Sequence, residues 1–294
     1  MDTSSELGHN LLPLILVGSL DASTLVVGLI EGVAEATAAV TKVLSGAISD
    51  RIGKRKLLTG LGYGLSAITK PMFPLAGSIG MVLAARLADR IGKGIRGAPR
   101  DALVADITPP EARGAAYGLR LTLDTTGAFA GPLLAMALMP IYAGNFRPVF
   151  WWAIVPAAIA VLLIVFAVQE PNGTRPAGQL GWPIHRAELD RMSGAYWWVV
   201  IIGLVFTMAW FSEAFLVLKG QQAGLPLALV PLVMVLMNLV YAVLAAPAGA
   251  WSDRIGRRKV LVVGLGLLVA ADLALAFAPG LAGLFVGGAY GAPI

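Results

Sequence analysis

The chain has 294 residues, of which 57% are hydrophobic and 13% are charged, and its mean hydropathy is +0.79. A soluble domain has about a quarter of its residues charged, so this composition indicates an integral membrane protein. The net charge of +5 does not indicate a nucleic-acid partner, because Lys and Arg are gathered into turns between apolar runs. The sequence has no cysteine and only two histidines, so we expect no disulfide, no metal and no cofactor.

The apolar runs predict membrane-spanning helices, each of which needs about twenty apolar residues. The N-terminus carries Asp2 and Glu6 where a signal peptide would be basic, and the first apolar run, Leu11–Leu20, is about half a span. Helix one is therefore predicted to be incomplete. The predicted helices two to nine are Leu25–Ile48, Leu57–Gly77, Ile79–Ala105, Ala115–Tyr142, Pro148–Val168, Tyr196–Leu218, Leu227–Ala250 and Val260–Ala278.

One short segment occurs twice, each time between two predicted spans. Gly46-Ala-Ile-Ser-Asp-Arg-Ile-Gly-Lys-Arg-Lys56 returns almost letter for letter as Gly249-Ala-Trp-Ser-Asp-Arg-Ile-Gly-Arg-Arg-Lys259. The chain therefore reads as two copies of a unit of roughly two hundred residues. A basic cluster alone could be a topology signal that keeps the loop in the cytoplasm, but such a signal does not require the fixed Gly and Asp.

A loop of the form Gly-x-x-x-Asp-Arg-x-Gly-Arg-Arg-Lys after the second helix of each half resembles the signature of the major facilitator superfamily, the twelve-helix secondary transporters. The resemblance implies an all-α polytopic membrane protein with two pseudo-symmetric bundles, of which about nine to ten helices are present. The implied domains are an N-terminal six-helix bundle (1–169), a cytoplasmic linker (170–194) and a partial C-terminal bundle (195–294). The unfinished tenth helix suggests a fragment of a longer protein.

The resemblance also implies that the two signature loops act as a gate. Asp50 and Asp253 would bond to neighbouring helix ends, with Arg51 and Arg254 held beside them. By the positive-inside rule both loops lie on the cytoplasmic side of a plasma or inner membrane. The candidate gate residues are Gly46, Asp50, Arg51, Gly53, Arg55, Gly249, Asp253, Arg254, Gly256 and Arg258.

Helix two carries three ionisable residues, Glu31, Glu35 and Lys42, which share one helical face. An ionisable group in a span is costly unless it faces a cavity or a partner, so this face must point into the protein. The residues could line an aqueous pathway, or they could neutralise basic groups on a neighbouring helix. Both interpretations remain open at this stage.

Helix four is more heavily charged, and its basic residues outnumber its acidic ones. We expect Glu31 and Glu35 to pair with Arg86 or Arg90 across the helix interface. The cations left without a partner would favour an organic anion. Arg90 and Gly94 resemble a helix-four motif of the superfamily, in which Gln usually stands at the position of Lys93.

Helix five has Arg120 and Asp124 four residues apart, so the two side chains can pair along the helix. The segment Gly127-Ala-Phe-Ala-Gly131-Pro132 then resembles the first part of the superfamily's antiporter motif, although Ala135 and Met136 replace its final glycines. Ordinary small-residue packing explains the same pattern equally well. In the C-terminal half, Glu213 is the preferred cavity residue.

These features predict a secondary active transporter that works by alternating access and moves a small organic solute or ion. Proton coupling would use Glu31, Glu35 or Asp124, and the partial antiporter motif favours export. The expected partners are the lipid bilayer, the solute and protons. The alternatives are a non-transporting scaffold or receptor with the same fold, or a non-functional fragment. An enzyme is not expected, because the sequence shows no nucleophile–base constellation.

Overall fold

A computed structural model of the chain describes residues 1–170, 191–208, 212–240 and 257–277, with residues 243 and 280. Regular structure in these residues is helical, with no strand among them. Of the predicted linker (170–194), residues 171–190 lie outside the described residues, so the division into two bundles stays a prediction.

The second, fourth and fifth predicted spans agree closely with helices of the N-terminal part. Ser23 and Ser78 cap the second and fourth spans, because their hydroxyl oxygens accept from the backbone N–H groups of Val26 and Met81. The helices are α1 (Asp2–Gly18), α2 (Thr24–Ile52), α3 (Arg55–Thr69), α4 (Met72–Leu75), α5 (Ile79–Ile107), α6 (Arg113–Ile141), α7 (Phe146–Trp151) and α8 (Ile154–Phe166).

Two predicted spans are divided rather than continuous. The third predicted helix is broken between α3 and α4, where Pro71 lacks a backbone N–H. The sixth is broken between α7 and α8, where Pro156 cannot donate to the carbonyl group one turn earlier. Hydropathy does not register these breaks, since the segments are mostly apolar on both sides of each break.

The predicted extent of helix one is wrong. The apolar run Leu11–Leu20 marks only its second half, because α1 begins at Asp2. Ser4 and Asn10 in the polar first half are fully buried. The Ser4 hydroxyl donates to the carbonyl oxygen of Ala153 (2.6 Å), and the Asn10 amide donates to the carbonyl oxygen of Glu6 (2.6 Å). The Ser4 hydroxyl and the Asn10 NH₂ group thus have acceptors, which reduces the cost of burying this polar part of the helix.

The C-terminal part contains α9 (Gly194–Met208), α10 (Ala214–Gln222), α11 (residues 232–240) and α12 (Arg257–Phe277). The prediction of one continuous seventh helix is wrong, because Ser212 and Glu213 are not helical and α10 starts afresh at Ala214. The eighth helix also begins later than predicted, since residues 227–231 form turns.

Three helical stretches of the described residues are long and apolar enough to cross a membrane: Thr24–Ile52, Pro110–Ile141 and Phe146–Phe166. Large apolar side chains are exposed on their outer faces, including Leu25 and Phe166. Lipid tails would cover such side chains, so these faces suit a bilayer.

The centre of the N-terminal part is α5, which packs between α2 and α3. Glycine makes the close approach to α3 possible. A Cβ atom on Gly62 would lie 2.6 Å from the backbone nitrogen of Arg96 and 2.7 Å from the carbonyl oxygen of Gly92. No larger residue fits at this crossing unless the helices move apart.

α1 packs against α6 on one side and against α10 on the other. Gly131 faces α1 so closely that a Cβ atom there would lie 2.8 Å from the backbone nitrogen of Leu7. The packing interpretation of the glycine pair on α6 is therefore confirmed, and its reading as an antiporter motif stays a prediction. Leu7 also belongs to the apolar core, which continues into Val230 and Met234 of the C-terminal part.

Candidate functional site

The candidate site is a cavity between the N-terminal helices and the start of α10. Its volume is about 700 Å³, within the range of small-molecule sites. Glu31 and Glu35 of α2 line it, with Lys93 of α5 and Glu213 of the C-terminal part. A second cavity of about 370 Å³ shares Glu6, Lys93 and Glu213 with the first. The structure thus brings most of the predicted pathway residues to one region.

Two ion pairs join α2 to α5 beside the cavity. The Arg86 guanidinium donates to Glu31 Oε2 at 2.6 Å, and both side chains are 2% exposed. Arg90 Nη1 lies 3.0 Å from Glu35 Oε1, and the Glu35 side chain is 56% exposed. The predicted pairing between helices two and four is therefore confirmed. Both side chains of the first pair are buried, whereas Glu35 of the second pair is exposed at the cavity.

His9 completes this cluster, and the sequence analysis did not select it. Its Nδ1 atom accepts from Arg86 Nη2 at 2.6 Å and from Arg90 Nη2 at 3.2 Å. A guanidinium can only donate, so Nδ1 holds a lone pair and the ring proton is on Nε2. Nε2 is buried without a hydrogen-bond partner, 3.9 Å from Glu31 Oε2.

The spacing of Asp2, Glu6 and His9 could have revealed this face of α1, because residues at i, i+4 and i+7 lie on one side of a helix. The low hydropathy of the segment concealed it.

Lys70 and Asp89 form a second buried pair that the sequence analysis missed. Lys70 Nζ lies 2.9 Å from Asp89 Oδ1, and each side chain is 3% exposed. Lys70 also donates to the Ser5 hydroxyl at 3.1 Å. The pair ties the end of α3 to α5 and α1, so its position suits support of the site rather than contact with a solute.

At the C-terminal end of α5, acidic and basic side chains form a chain of ion pairs with those of α6. Arg120 lies 3.6 Å from Asp124 along α6, as predicted, and it has a closer partner in Asp101 of α5 at 2.6 Å. Arg100 lies 3.4 Å from Asp124 in turn. Asp124 and Lys42 line the smaller cavity. Asp124 is therefore held by two cations while it faces the cavity.

The first signature loop is fixed to its surroundings by charge. Gly53 ends α2 in the left-handed conformation (φ 72°), which glycine adopts without strain. Arg55 donates to Asp50 (3.3 Å) and pairs with Asp106 at the end of α5 (2.5 Å). Asp50 thus bonds to a side chain at the start of α3, and no backbone N–H of the described residues donates to it. No ion pair of Arg51 is found in the described part of the chain.

Glu170, which the sequence analysis did not single out as a site residue, binds the beginning of α3. Its two carboxylate oxygens accept from the backbone N–H groups of Arg55 (2.7 Å) and Lys56 (3.0 Å). A carboxylate at a helix N-terminus satisfies unpaired N–H groups and complements the helix dipole. The loop is therefore connected to the segment that follows α8.

In the second signature loop, Gly249, Asp253, Arg254 and Gly256 lie outside the described residues. Only the backbone of Arg258, in α12, is described. Their role in a gate stays a prediction.

Replacing Glu170 with alanine should weaken the start of α3 by about 1 kcal/mol, the usual effect of losing an N-terminal cap. Amide hydrogen exchange of residues 55–58 should accelerate accordingly, by several-fold, and mass spectrometry can follow it. Glu111→Ala is the matched control, because Glu111 is an exposed carboxylate in the turn before α6. Equal exchange in both variants would show that Glu170 does not hold this helix end.

Known proteins resemble the chain over nearly its whole length. The matching family model is described as Major Facilitator Superfamily and covers residues 9–294. An uncharacterized MFS-type transporter of Methanocaldococcus jannaschii is 30% identical over 94% of this chain and 69% of its own length. A multidrug resistance protein, MdtH, of Proteus mirabilis is 28% identical over 88% of this chain and 63% of its own length.

Among solved structures, an inward-facing bacterial homolog of the human lysosomal transporter Spinster superposes with a TM-score of 0.67. It is 18% identical, and the match covers 99% of this chain and 70% of that structure. At this identity the likeness shows the fold. The chain thus spans between three fifths and three quarters of the length of each of these three proteins.

Proposed function

The chain belongs to the Major Facilitator Superfamily, and we propose that it works as a secondary active transporter that moves a small organic solute by alternating access. One observation carries this proposal. The cavity of about 700 Å³ has walls from both parts of the chain, with Glu31 and Glu35 on one side and Glu213 on the other. A transporter that rocks two bundles against each other needs its solute site at that boundary.

Proton coupling is proposed to centre on Glu35. Its side chain is 56% exposed and lines the cavity, and among the described residues its carboxylate pairs with one cation, Arg90. Protonation would remove the negative charge and release Arg90, so the proton and the guanidinium compete for one carboxylate. Glu31 is less suited to this role, because Arg86 donates to it at 2.6 Å and only 2% of its side chain is exposed.

Export is the proposed direction, with the signature loops on the cytoplasmic side. The partial antiporter motif on α6 supports this direction, and so does the similarity to a protein named for multidrug resistance. Efflux by exchange with protons would use the inward proton gradient of a cell membrane.

Everted membrane vesicles that contain the full-length protein provide the test. Respiration acidifies the vesicle interior and quenches the dye ACMA, and a solute exchanged for protons restores its fluorescence. Rhodamine 6G, fluorescein and D-xylose would serve as cationic, anionic and neutral probes. Restored fluorescence with at least one probe is the expected result. A folded protein that restores it with none would favour a non-transporting scaffold.

Glu35→Gln should abolish this solute-dependent proton release while the protein still inserts and folds, because an amide cannot carry the proton. Glu111→Gln removes a carboxylate outside the cavity and should leave the signal at its original size. Western blotting and size-exclusion chromatography would establish equal amounts of folded protein. An unchanged signal in Glu35→Gln would remove Glu35 from the coupling mechanism.

A further inference from the structure

The charges around the cavity indicate the class of solute, an inference that rests on the proposed function. We propose that the solute is a small organic cation, held by the carboxylates of Glu6 and Glu213. This reverses the expectation of an organic anion, which came from the excess of basic residues on one helix.

The basic residues of α5 are mostly neutralised by neighbouring helices. Arg86 and Arg90 pair with Glu31 and Glu35 at 2.6 and 3.0 Å. Arg96 lies 4.0 Å from the carboxylate of Asp2 and also donates to the Ser66 hydroxyl at 2.7 Å. Arg100 pairs with acidic side chains at the far end of the helix. Most of the positive charges of α5 are therefore balanced by carboxylates inside the protein.

Lys42, which lines only the smaller cavity, has no ion pair in the described part of the chain. The larger cavity has three such side chains: Glu6, Glu213 and Lys93. All three line both cavities, so they surround the space where the two cavities meet. Two carboxylates against one ammonium leave an excess of negative charge in the larger cavity. A positively charged solute would neutralise it.

The aromatic ring of Phe215 lies at the wall of the larger cavity. Phe215 of α10 lies next to α2 at Gly28, where an added Cβ atom would be 3.0 Å from the ring. Phe215 lines the larger cavity with Glu213, two positions earlier. An aromatic face beside carboxylates is the environment that an organic ammonium group prefers. Glycine at position 28 is what allows the ring to lie there.

His9 lines the larger cavity beside these carboxylates, and its side chain is 11% exposed. Its Nε2 atom has no hydrogen-bond partner among the described residues, but it is buried and therefore out of reach of a molecule in the cavity. Recognition of the solute thus rests on Glu6, Glu213 and Phe215.

Fluorescence polarisation of two dyes tests the charge preference on the full chain in detergent. Rhodamine 6G and fluorescein share a xanthene core, but the first is a cation and the second an anion. Rhodamine 6G should bind, and Glu213→Gln or Glu6→Gln should each weaken its binding by about tenfold. Lys93→Gln should tighten it, because a like charge is removed. Glu111→Gln is the control and should bind as the original protein does.

Lys93→Gln should raise the affinity for rhodamine 6G, whereas the carboxylate variants should lower it. The charge preference can therefore be tested even if a carboxylate variant fails to fold. Fluorescein binding that is lost in Lys93→Gln would overturn the proposal in favour of an anion. Rhodamine binding that none of the three variants changes would also overturn it. A protein that binds neither dye but restores ACMA fluorescence with D-xylose would refute the cation and leave the transporter standing.

Discussion

The Arg86→Met variant is expected to lose about 3–5 kcal/mol of its free energy of unfolding, because it leaves Glu31 buried with its main partner removed. Both side chains are 2% exposed and separated by 2.6 Å, so water cannot replace the lost guanidinium. Arg86 also donates to His9, so the substitution removes two bonds from the cluster. The midpoint of thermal unfolding in detergent, followed by tryptophan fluorescence, would fall accordingly.

The double variant Arg86→Met/Glu31→Leu should recover much of this loss, because apolar groups can replace a buried ion pair at small cost. Arg113→Met is the control for the loss of an arginine, since Arg113 is exposed at the start of α6. If the single and double variants unfold at the same temperature, the Glu31 charge is not what destabilises the single variant. Solute transport is expected to fail in both, since Arg86 and Glu31 belong to the proposed pathway.

Sequence reasoning found this pair because the membrane restricts the choices. An ionisable group within a span requires a partner or water. The helical face of Glu31 and Glu35 could therefore be matched with the nearest basic helix. The same reasoning failed for His9, because hydropathy placed the start of helix one at Leu11 and left the charged turns of α1 outside the membrane.

The break at Ser212 and Glu213 is harder to predict, because residues 204–219 are mostly apolar and contain no proline or glycine. The contact of Glu170 with the start of α3 joins residues far apart in the chain, which no local pattern reveals. The charge of the cavity is likewise a tertiary property. The sequence of α5 alone contains more basic than acidic residues. Only the contacts in the structure show which of these basic residues pair with carboxylates of other helices.

The matched pair Gly62→Ala and Gly64→Ala should separate helix propensity from helix packing in α3. Alanine favours a helix over glycine by about 1 kcal/mol, and Gly64 has no atom within 4 Å of an added Cβ, so Gly64→Ala should be neutral or stabilising. At Gly62 the same atom would lie 2.6 Å from the backbone nitrogen of Arg96. Backbone cannot rotate aside, so Gly62→Ala should cost about 1–3 kcal/mol as an overpacked contact.

The crossing at Gly62 also holds the charged cluster in position, and for this reason Gly62→Ala should reduce transport as well as stability. Ser66, one turn further along α3, donates to the carbonyl oxygen of Asp89 (3.2 Å) and accepts from Arg96 (2.7 Å). If α3 moves outward, both bonds lengthen. The two variants should be compared side by side by thermal unfolding and by ACMA recovery. In Gly62→Ala, both the unfolding temperature and the ACMA recovery should fall, whereas neither should fall in Gly64→Ala. Equal behaviour of the two variants would mean that α3 and α5 are not packed through this glycine.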